Sequence, residues 1–190
     1  DKYIIASVLR GADITEVYSP ERVNRLAAKM SLVPGHSLDL TNGWDFDLVE
    51  HRQKAWKLIK ATSPYVIIGS PPCTMFSMLQ ELNQHLHKDD AEWMAGFRQR
   101  WVKAEQHLNF CMQIYRWQLK HGRHFIHGHP RDAKSWQLDA VKDLMNDPRV
   151  HWVEGHMCAF GMTAKIDSSS DDVGRVKKPT GFLTSSHHIA

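Results

Sequence analysis

Residues 65–77 read Tyr-Val-Ile-Ile-Gly-Ser-Pro-Pro-Cys-Thr-Met-Phe-Ser, an apolar run that changes abruptly into a loop with two prolines. The run at residues 65–68 has the length and β-branching of a buried strand, and it stops at Gly69. Proline fixes φ and removes a backbone donor, so the loop is predicted to be rigid and non-helical. It presents Cys73 at a strand end, where ligands bind in open α/β sheets and where a thiol can act as a nucleophile.

The length of 190 residues predicts one domain, residues 1–190, with a sizeable core. Residues 1–5 contain neither an initiator methionine nor a signal-peptide pattern, which indicates a fragment of a longer protein. No apolar stretch approaches the ~20 residues that span a membrane, so no membrane partner is expected. The three cysteines have unrelated spacings, which is typical of free thiols in a reducing compartment, the nucleus or the cytoplasm.

Strand and helix patterns alternate along the chain. Strand patterns cover residues 3–9, 14–18, 37–40, 65–69, 124–127, 150–153, 157–160 and 180–184. Helical patterns cover residues 19–28, 46–60, 89–121 and 135–146. The alternation predicts an α/β fold with an open, mostly parallel sheet and helices on both faces. The polar residues 167–174 predict a mobile loop between two late strands.

The order of these parts resembles the catalytic half of DNA cytosine-5 methyltransferases, from about Ile14 to Ser185. The Pro-Cys loop carries the resemblance, because that family uses such a cysteine to attack the cytosine ring. The resemblance implies an S-adenosylmethionine-dependent methyltransferase fold of Rossmann-like type. It makes Cys73 the nucleophile, framed by Ser70 and Pro72.

The family's cofactor turn reads apolar-acid-apolar-Phe-Ser/Ala-Gly-x-Gly. The corresponding residues here are Glu16 to Glu21, which lack the glycines that let a backbone approach the cofactor. The resemblance implies S-adenosylmethionine binding at this turn and at the next strand ends. The candidate cofactor-binding residues are Glu16, Tyr18, Ser19, Pro20, Asp39, Asp45 and Gly69.

The family's second catalytic element is a Glu-Asn-Val strand end, whose glutamate holds the flipped base. The matching stretch, Phe125 to Pro130, has Gly128 where the glutamate is expected. Either the acid is lost, or His127 or His129 substitutes for it, or Gly128 is an engineered change. Losing general-acid help costs typically ~10²–10⁴ in rate, so the resemblance implies impaired turnover.

The third element resembles the family's Gln-x-Arg-x-Arg segment, of which residues 160–165 keep only the aromatic-Gly turn and Lys165. The net charge is only +3, but basic residues cluster near tryptophans, which suits phosphate contact and base stacking. A nucleic-acid partner is therefore expected, DNA more readily than RNA, with specificity supplied by a protein partner or a missing segment. The candidate contacts are Ser77, Arg98, Arg100, Arg123 and Lys165.

Three alternatives remain open. Gly128 and the missing glycines favour a catalytically dead nucleic-acid-binding module. Exocyclic-amino methyltransferases have a Ser/Asn/Asp-Pro-Pro-aromatic loop, whose first three positions match here before Cys73 takes the aromatic position. A metal-dependent hydrolase is the remote alternative, with His127, His129 and Asp132 as ligands. Known metal motifs have more regular spacings, so the main prediction includes no metal.

Overall fold

The computed structural model describes residues 11–167 and 171–190. Its helices are α1 (Val23–Ala27), α2 (Val49–Thr62), α3 (Met78–Leu86), α4 (Ala91–Lys120) and α5 (Asp139–Met145). Its strands are β1 (Ile14–Val17), β2 (Pro34–Leu38), β3 (Val66–Gly69), β4 (His124–Pro130), β5 (His151–His156), β6 (Thr163–Lys165), β7 (Val173–Arg175) and β8 (Pro179–Thr184).

Six of these strands form one mixed sheet in the order β2-β1-β3-β4-β8-β5. The pairs β1–β2, β1–β3 and β3–β4 are parallel, whereas β8 is antiparallel to both of its neighbours. Strands β6 and β7 form a separate antiparallel hairpin. The predicted α/β class with a mostly parallel sheet is therefore confirmed.

The sheet grows in opposite directions from β1. The chain passes from β1 to β2 on one side and then returns to β3 on the other side of β1. In open α/β sheets, such a switch point leaves a crevice outside the carboxyl ends of the two central strands, and ligands bind there. The Pro-Cys loop follows β3 and the Tyr18 turn follows β1, so both leave the sheet at this crevice.

Burial alternates along β3 and β4, whose one face is covered by α4. The rings of Tyr115 on α4 and Phe125 on β4 stack with centroids 4.5 Å apart. Ile67 is also fully buried, whereas its neighbour Ile68 is only half-buried. The prediction that the whole run at residues 65–68 is buried is therefore wrong, and Tyr65 is 56% exposed.

The predicted strand at Met157–Phe160 is wrong. These residues form a short 3-10 turn, closed by the Gly161 N–H, which donates to the Cys158 carbonyl at 3.3 Å. Gly161 follows this turn with a φ of 79°, a left-handed conformation that glycine adopts readily.

Three further elements differ from the predictions. Helix α3 and the β6–β7 hairpin were not predicted, and β7 occupies part of the predicted loop at residues 167–174. The predicted helix at residues 135–146 is divided into a 3-10 turn, Lys134–Gln137, and α5. The predicted strand at residues 3–9 lies outside the described residues.

Candidate functional site

The Pro-Cys loop is held at its start by both strands that flank β3. The Ser70 N–H donates to the carbonyl of Val17 at the end of β1, at 3.2 Å. On the other side, the His129 Nε2–H of β4 donates to the carbonyl of buried Pro71, at 2.9 Å. The position from which the chain continues to Cys73 is therefore set by hydrogen bonds to β1 and β4.

The far end of the loop is held by Phe76, which is fully buried. Its ring centroid lies 5.2 Å from that of Trp101 on α4 and 6.0 Å from that of His129. The Phe76 N–H also donates to the Cys73 carbonyl, at 3.0 Å. Pro72 is exposed and Cys73 is half-buried, so the thiol lies between two buried anchors on the accessible part of the loop.

Gly69 is required by packing at the end of β3. A Cβ built at this position would overlap the hydroxyl group of Tyr115. Tyr115 is fully buried, and its hydroxyl lies 3.2 Å from His127 Nδ1. A contact within the protein therefore accounts for this glycine, and its cofactor-binding role stays a prediction.

Gly128 lies beside the start of the loop. A Cβ built on it would be 3.7 Å from Ser70 Oγ and 3.5 Å from the nearest ring atom of Phe182. Both are ordinary contact distances. The structure thus brings Gly128 and Ser70 together, and the space next to Gly128 admits the first atom of a longer side chain directed at the loop.

His127 and His129 are the two residues expected to substitute for the missing acid. Burial and the neighbouring His129 lower the pKa of His127 well below its ordinary value, and burial lowers the pKa of His129 to about 4. Both rings are therefore neutral near pH 7, and His129 uses its second nitrogen to accept from Ser135 Oγ–H at 2.7 Å. The Nε2–H of His129 is already bonded to Pro71, and the buried Nε2 of His127 has no hydrogen-bond partner. That either histidine substitutes for the glutamate stays a prediction.

Glu16 is fully buried, and its carboxylate binds the start of α1. It accepts from the N–H groups of Arg22, Val23 and Asn24 at 3.2, 3.1 and 3.0 Å. The hydroxyl of Ser19 adds a bond of 2.9 Å. These side chains hold the turn to the helix, and their cofactor-binding role stays a prediction.

Tyr18 follows β1 with a φ of 58°, which is rare for a residue other than glycine. Its hydroxyl donates to His107 Nδ1 at 2.9 Å, and His107 Nε2 lies 3.2 Å from Asp47 Oδ1. Burial is the main cause that raises the pKa of Tyr18 and lowers that of His107. The sequence gives no sign of this network, since Tyr18 and His107 are 89 positions apart.

The two candidate aspartates shape the chain after β2. Asp39 accepts from the N–H and the hydroxyl of Thr41, at 3.0 and 2.7 Å, and so caps a 3-10 turn. Asp45 accepts from the Asp47 N–H at 2.9 Å. Both are half-buried, and Asp39 lies next to the Tyr18 turn because the Tyr18 N–H donates to the carbonyl before it, at 2.8 Å. Pro20, in the same turn, is also half-buried.

The structure separates the predicted nucleic-acid contacts. Arg98 and Arg100 are exposed on the first half of α4, and Arg100 lies over the Trp93 ring. Arg123 precedes β4 and therefore lies at the amino edge of the sheet, opposite the Pro-Cys loop. Lys165 pairs with Asp171 in the hairpin region, at 3.0 Å. Ser77, which begins α3, stays beside the loop.

The geometry does not support the metal alternative. Asp132 is exposed and pairs with Arg131 at 2.9 Å, while His129 uses both ring nitrogens within the protein. Within residues 11–167 and 171–190, no group of three or more His, Cys, Asp and Glu residues could hold a metal ion.

Comparison of the chain with protein-family models, with curated proteins and with solved structures gives no match. Among the described helices, none is long and apolar enough to cross a membrane. The three cysteines are free thiols. The function is therefore argued from the geometry of the Pro-Cys loop and its neighbours.

Proposed function

We propose that this chain is a methyltransferase-type protein that binds S-adenosylmethionine and acts on carbon 5 of cytosine in nucleic acid, with Cys73 as the nucleophile. Gly128 replaces the expected acid, so its turnover is low. The observation that carries the proposal is the Pro-Cys loop, held to β1 and β4 at the switch point of the sheet. Rigid placement of a nucleophile lowers the entropic cost of reaching the reactive geometry.

The chemistry assigned to the chain begins at Cys73. Its thiolate adds to carbon 6 of cytosine, and the electron pair of the ring then makes carbon 5 nucleophilic. S-adenosylmethionine, when bound, supplies the methyl group for carbon 5. Water then takes the proton from carbon 5. The electron pair of that bond forms the carbon 5–carbon 6 double bond, and the sulfur–carbon 6 bond breaks and frees the thiolate. A carboxylic acid at position 128 would assist the addition by protonating the ring nitrogen, and Gly128 has no proton to offer.

We expect this crevice to take the nucleoside of the cofactor rather than its carboxylate tail. Tyr18 and Asp39 place an aromatic ring and a carboxylate at neighbouring strand ends, and an acidic residue there suits ribose hydroxyl groups. The start of α1, which would suit an anionic group, is already bound by Glu16. We therefore assign the nucleoside side to Tyr18, Asp39 and Asp45.

A binding module without turnover is the second candidate. Two observations favour it: Glu16 occupies the start of α1, and Gly128 leaves the acid position without a side chain. The exocyclic-amino alternative is disfavoured, because the nearest aromatic residue of the loop, Phe76, is fully buried and has no free face for a base.

Ligand binding tests the cofactor assignment. S-adenosylhomocysteine at 100 times its dissociation constant should stabilise the protein by roughly 2.7 kcal/mol, which a thermal shift detects and calorimetry checks. Asp39→Ala should weaken binding, whereas the control Asp89→Ala, an exposed residue between α3 and α4, should not. A folded sample that binds neither S-adenosylmethionine nor S-adenosylhomocysteine would contradict the methyltransferase proposal.

Covalent trapping tests the nucleophile. The oligonucleotide contains 5-fluorocytosine, and S-adenosylmethionine is present as the methyl donor. After methyl transfer, carbon 5 carries fluorine in place of a proton, so the Cys73 adduct cannot be eliminated and should accumulate and survive denaturing electrophoresis. Gly128→Glu should speed adduct formation by about 10²–10⁴, whereas the isosteric Gly128→Gln should not, because only the acid donates a proton. Cys73→Ser should abolish the adduct. A Gly128→Glu variant that binds cofactor and forms no adduct would favour the binding module.

A further inference from the structure

Three shallow grooves lie end to end beside α3. The first, of about 420 Å³, has Arg98, Trp101 and Lys134 in its wall. The second, of about 470 Å³, shares Lys134 with the first and adds Met78 and Arg131. The third, of about 430 Å³, shares Met78 and Arg131 with the second. Each groove adjoins the next at the residues they share, and we call them together the α3 track.

The α3 track passes the Pro-Cys loop. Ser77, which directly follows the 3-10 turn of the loop, lines the third groove. At the other end, Trp101 lines the first groove and contacts Phe76 of the loop, with ring centroids 5.2 Å apart. A ligand lying along the track therefore runs beside the segment that presents Cys73.

The track carries an excess of positive charge at its third groove. Arg131 pairs with Asp132 and Glu154, and Lys134 pairs with Glu81. In the described part of the chain, no ion pair involves the exposed Lys177 and Lys178. These two ammonium groups are available to an anionic partner, which matches the phosphates of a nucleic acid.

Apolar and aromatic side chains alternate with these cations. Trp101 and Trp136 are half-buried in the track walls, and Met78 is 63% exposed between them and the lysines. Base faces can stack on such side chains only when they are unpaired, because in a duplex each base face is covered by the next base pair. The alternation therefore fits a single strand better than a duplex.

From this arrangement we propose that the α3 track binds single-stranded nucleic acid and leads an unpaired base to the Pro-Cys loop. The proposal rests on the proposed function only for the identity of that base. Lys177 and Lys178 contact phosphates, and the apolar walls of the track contact base faces. A single strand also removes the need for this chain to open a duplex before Cys73 can reach a ring carbon.

The test uses a fluorescent oligothymidylate, which contains no cytosine, and an A·T hairpin of equal length, both without cofactor. The single strand should bind more tightly than the hairpin. Lys177→Ala/Lys178→Ala should weaken binding and make the slope of log K against log salt shallower by about 1.4, because each phosphate contact in a single strand contributes about 0.7. The control Lys57→Ala/Lys120→Ala removes the same charge from exposed sites on α2 and α4 and should leave the slope unchanged.

Equal or tighter binding of the hairpin would overturn the proposal, as would equal losses in the two double variants. Circular dichroism and the melting temperature establish that each variant is folded. The outcome is separate from the cofactor test. If the chain binds oligothymidylate but not S-adenosylhomocysteine, the α3 track proposal is supported and the methyltransferase proposal is contradicted. If it binds S-adenosylhomocysteine but not oligothymidylate, only the α3 track proposal is contradicted.

Discussion

Gly69, just before the Pro-Cys loop, has no room for a side chain. Because a Cβ there would overlap the Tyr115 hydroxyl, Gly69→Ala should destabilise the protein by about 1–3 kcal/mol, as overpacked cores do. Urea unfolding measures the loss. Gly96→Ala is the matched control, since Gly96 lies within α4 and alanine should be neutral or stabilising there.

A double variant separates overlap from general strain at Gly69. Tyr115→Phe removes the overlapping oxygen, so Gly69→Ala should cost less in that background than in the natural protein. Equal costs in both backgrounds would show that the hydroxyl is not the source of the penalty.

His129 makes stability depend on pH. Its pKa in the folded protein, about 4, lies below the ordinary value of 6.5. Between these two pH values, His129 is protonated in the unfolded chain but not in the folded one. Stability is therefore complete above about pH 6.5 and is lost as the pH falls toward 4, by about 3 kcal/mol in total. Unfolding at about pH 7.5 and 5 should show much of this loss.

The matched variant for this pH effect is His129→Gln, which keeps a donor near Pro71 but does not titrate. Carboxylate titrations are common to both proteins, so the difference between their pH profiles reports His129 together with its effect on the pKa of His127. If the variant loses as much stability as the natural protein between the two pH values, His129 is not responsible.

Within α1, one buried carboxylate replaces the usual capping residue. Arg22, at the start of the helix, gives no side-chain cap, and Glu16 accepts from three successive N–H groups instead. Glu16→Gln should cost at least about 2 kcal/mol, because hydrogen bonds to charged groups are the stronger ones and an amide presents one acceptor oxygen instead of two. The control is Glu21→Gln, an exposed position in the same turn, which should stay within about 0.5 kcal/mol in urea unfolding.

The sequence predicted best those elements whose ends are marked by local capping residues. Helix α4 was predicted closely because Asp90 caps its first turn and Gly122, with a φ of 65°, follows its end. Strand β4 extends further than predicted, since its pairing with β8 continues to Pro130. Helix α3 was missed, and its leucines at 79, 82 and 86 are exposed, so burial in a core does not explain their spacing.

The same division applies to the candidate site. The proximity of the Pro-Cys loop to Gly128 follows from neighbouring parallel strands. The family resemblance implied it, by assigning the nucleophile and the catalytic acid to these two positions. The roles of Glu16, Tyr18 and His129 depend on tertiary hydrogen bonds that join distant positions, so no local pattern contains them.

Across the whole molecule, the thiols differ in access. Cys73 and Cys158 are half-buried, whereas Cys111 is fully buried and burial raises its pKa to about 12. Iodoacetamide near neutral pH should therefore modify Cys73 and Cys158 in the folded protein and Cys111 only after unfolding. Mass spectrometry of peptides reads each site. Modification of Cys111 at the rate of the other two, under native conditions, would contradict this packing.

Among the described strands β8 comes last in the sequence, yet it lies between β4 and β5. During synthesis, β4 and β5 both leave the ribosome before the strand that joins them, so the order of translation differs from the order of the sheet. Until residues 179–184 emerge, β4 has an open edge and β5 lacks its partner in this sheet. Open edges pair readily with other chains, so a nascent chain paused before Pro179 is the form of this protein most exposed to aggregation.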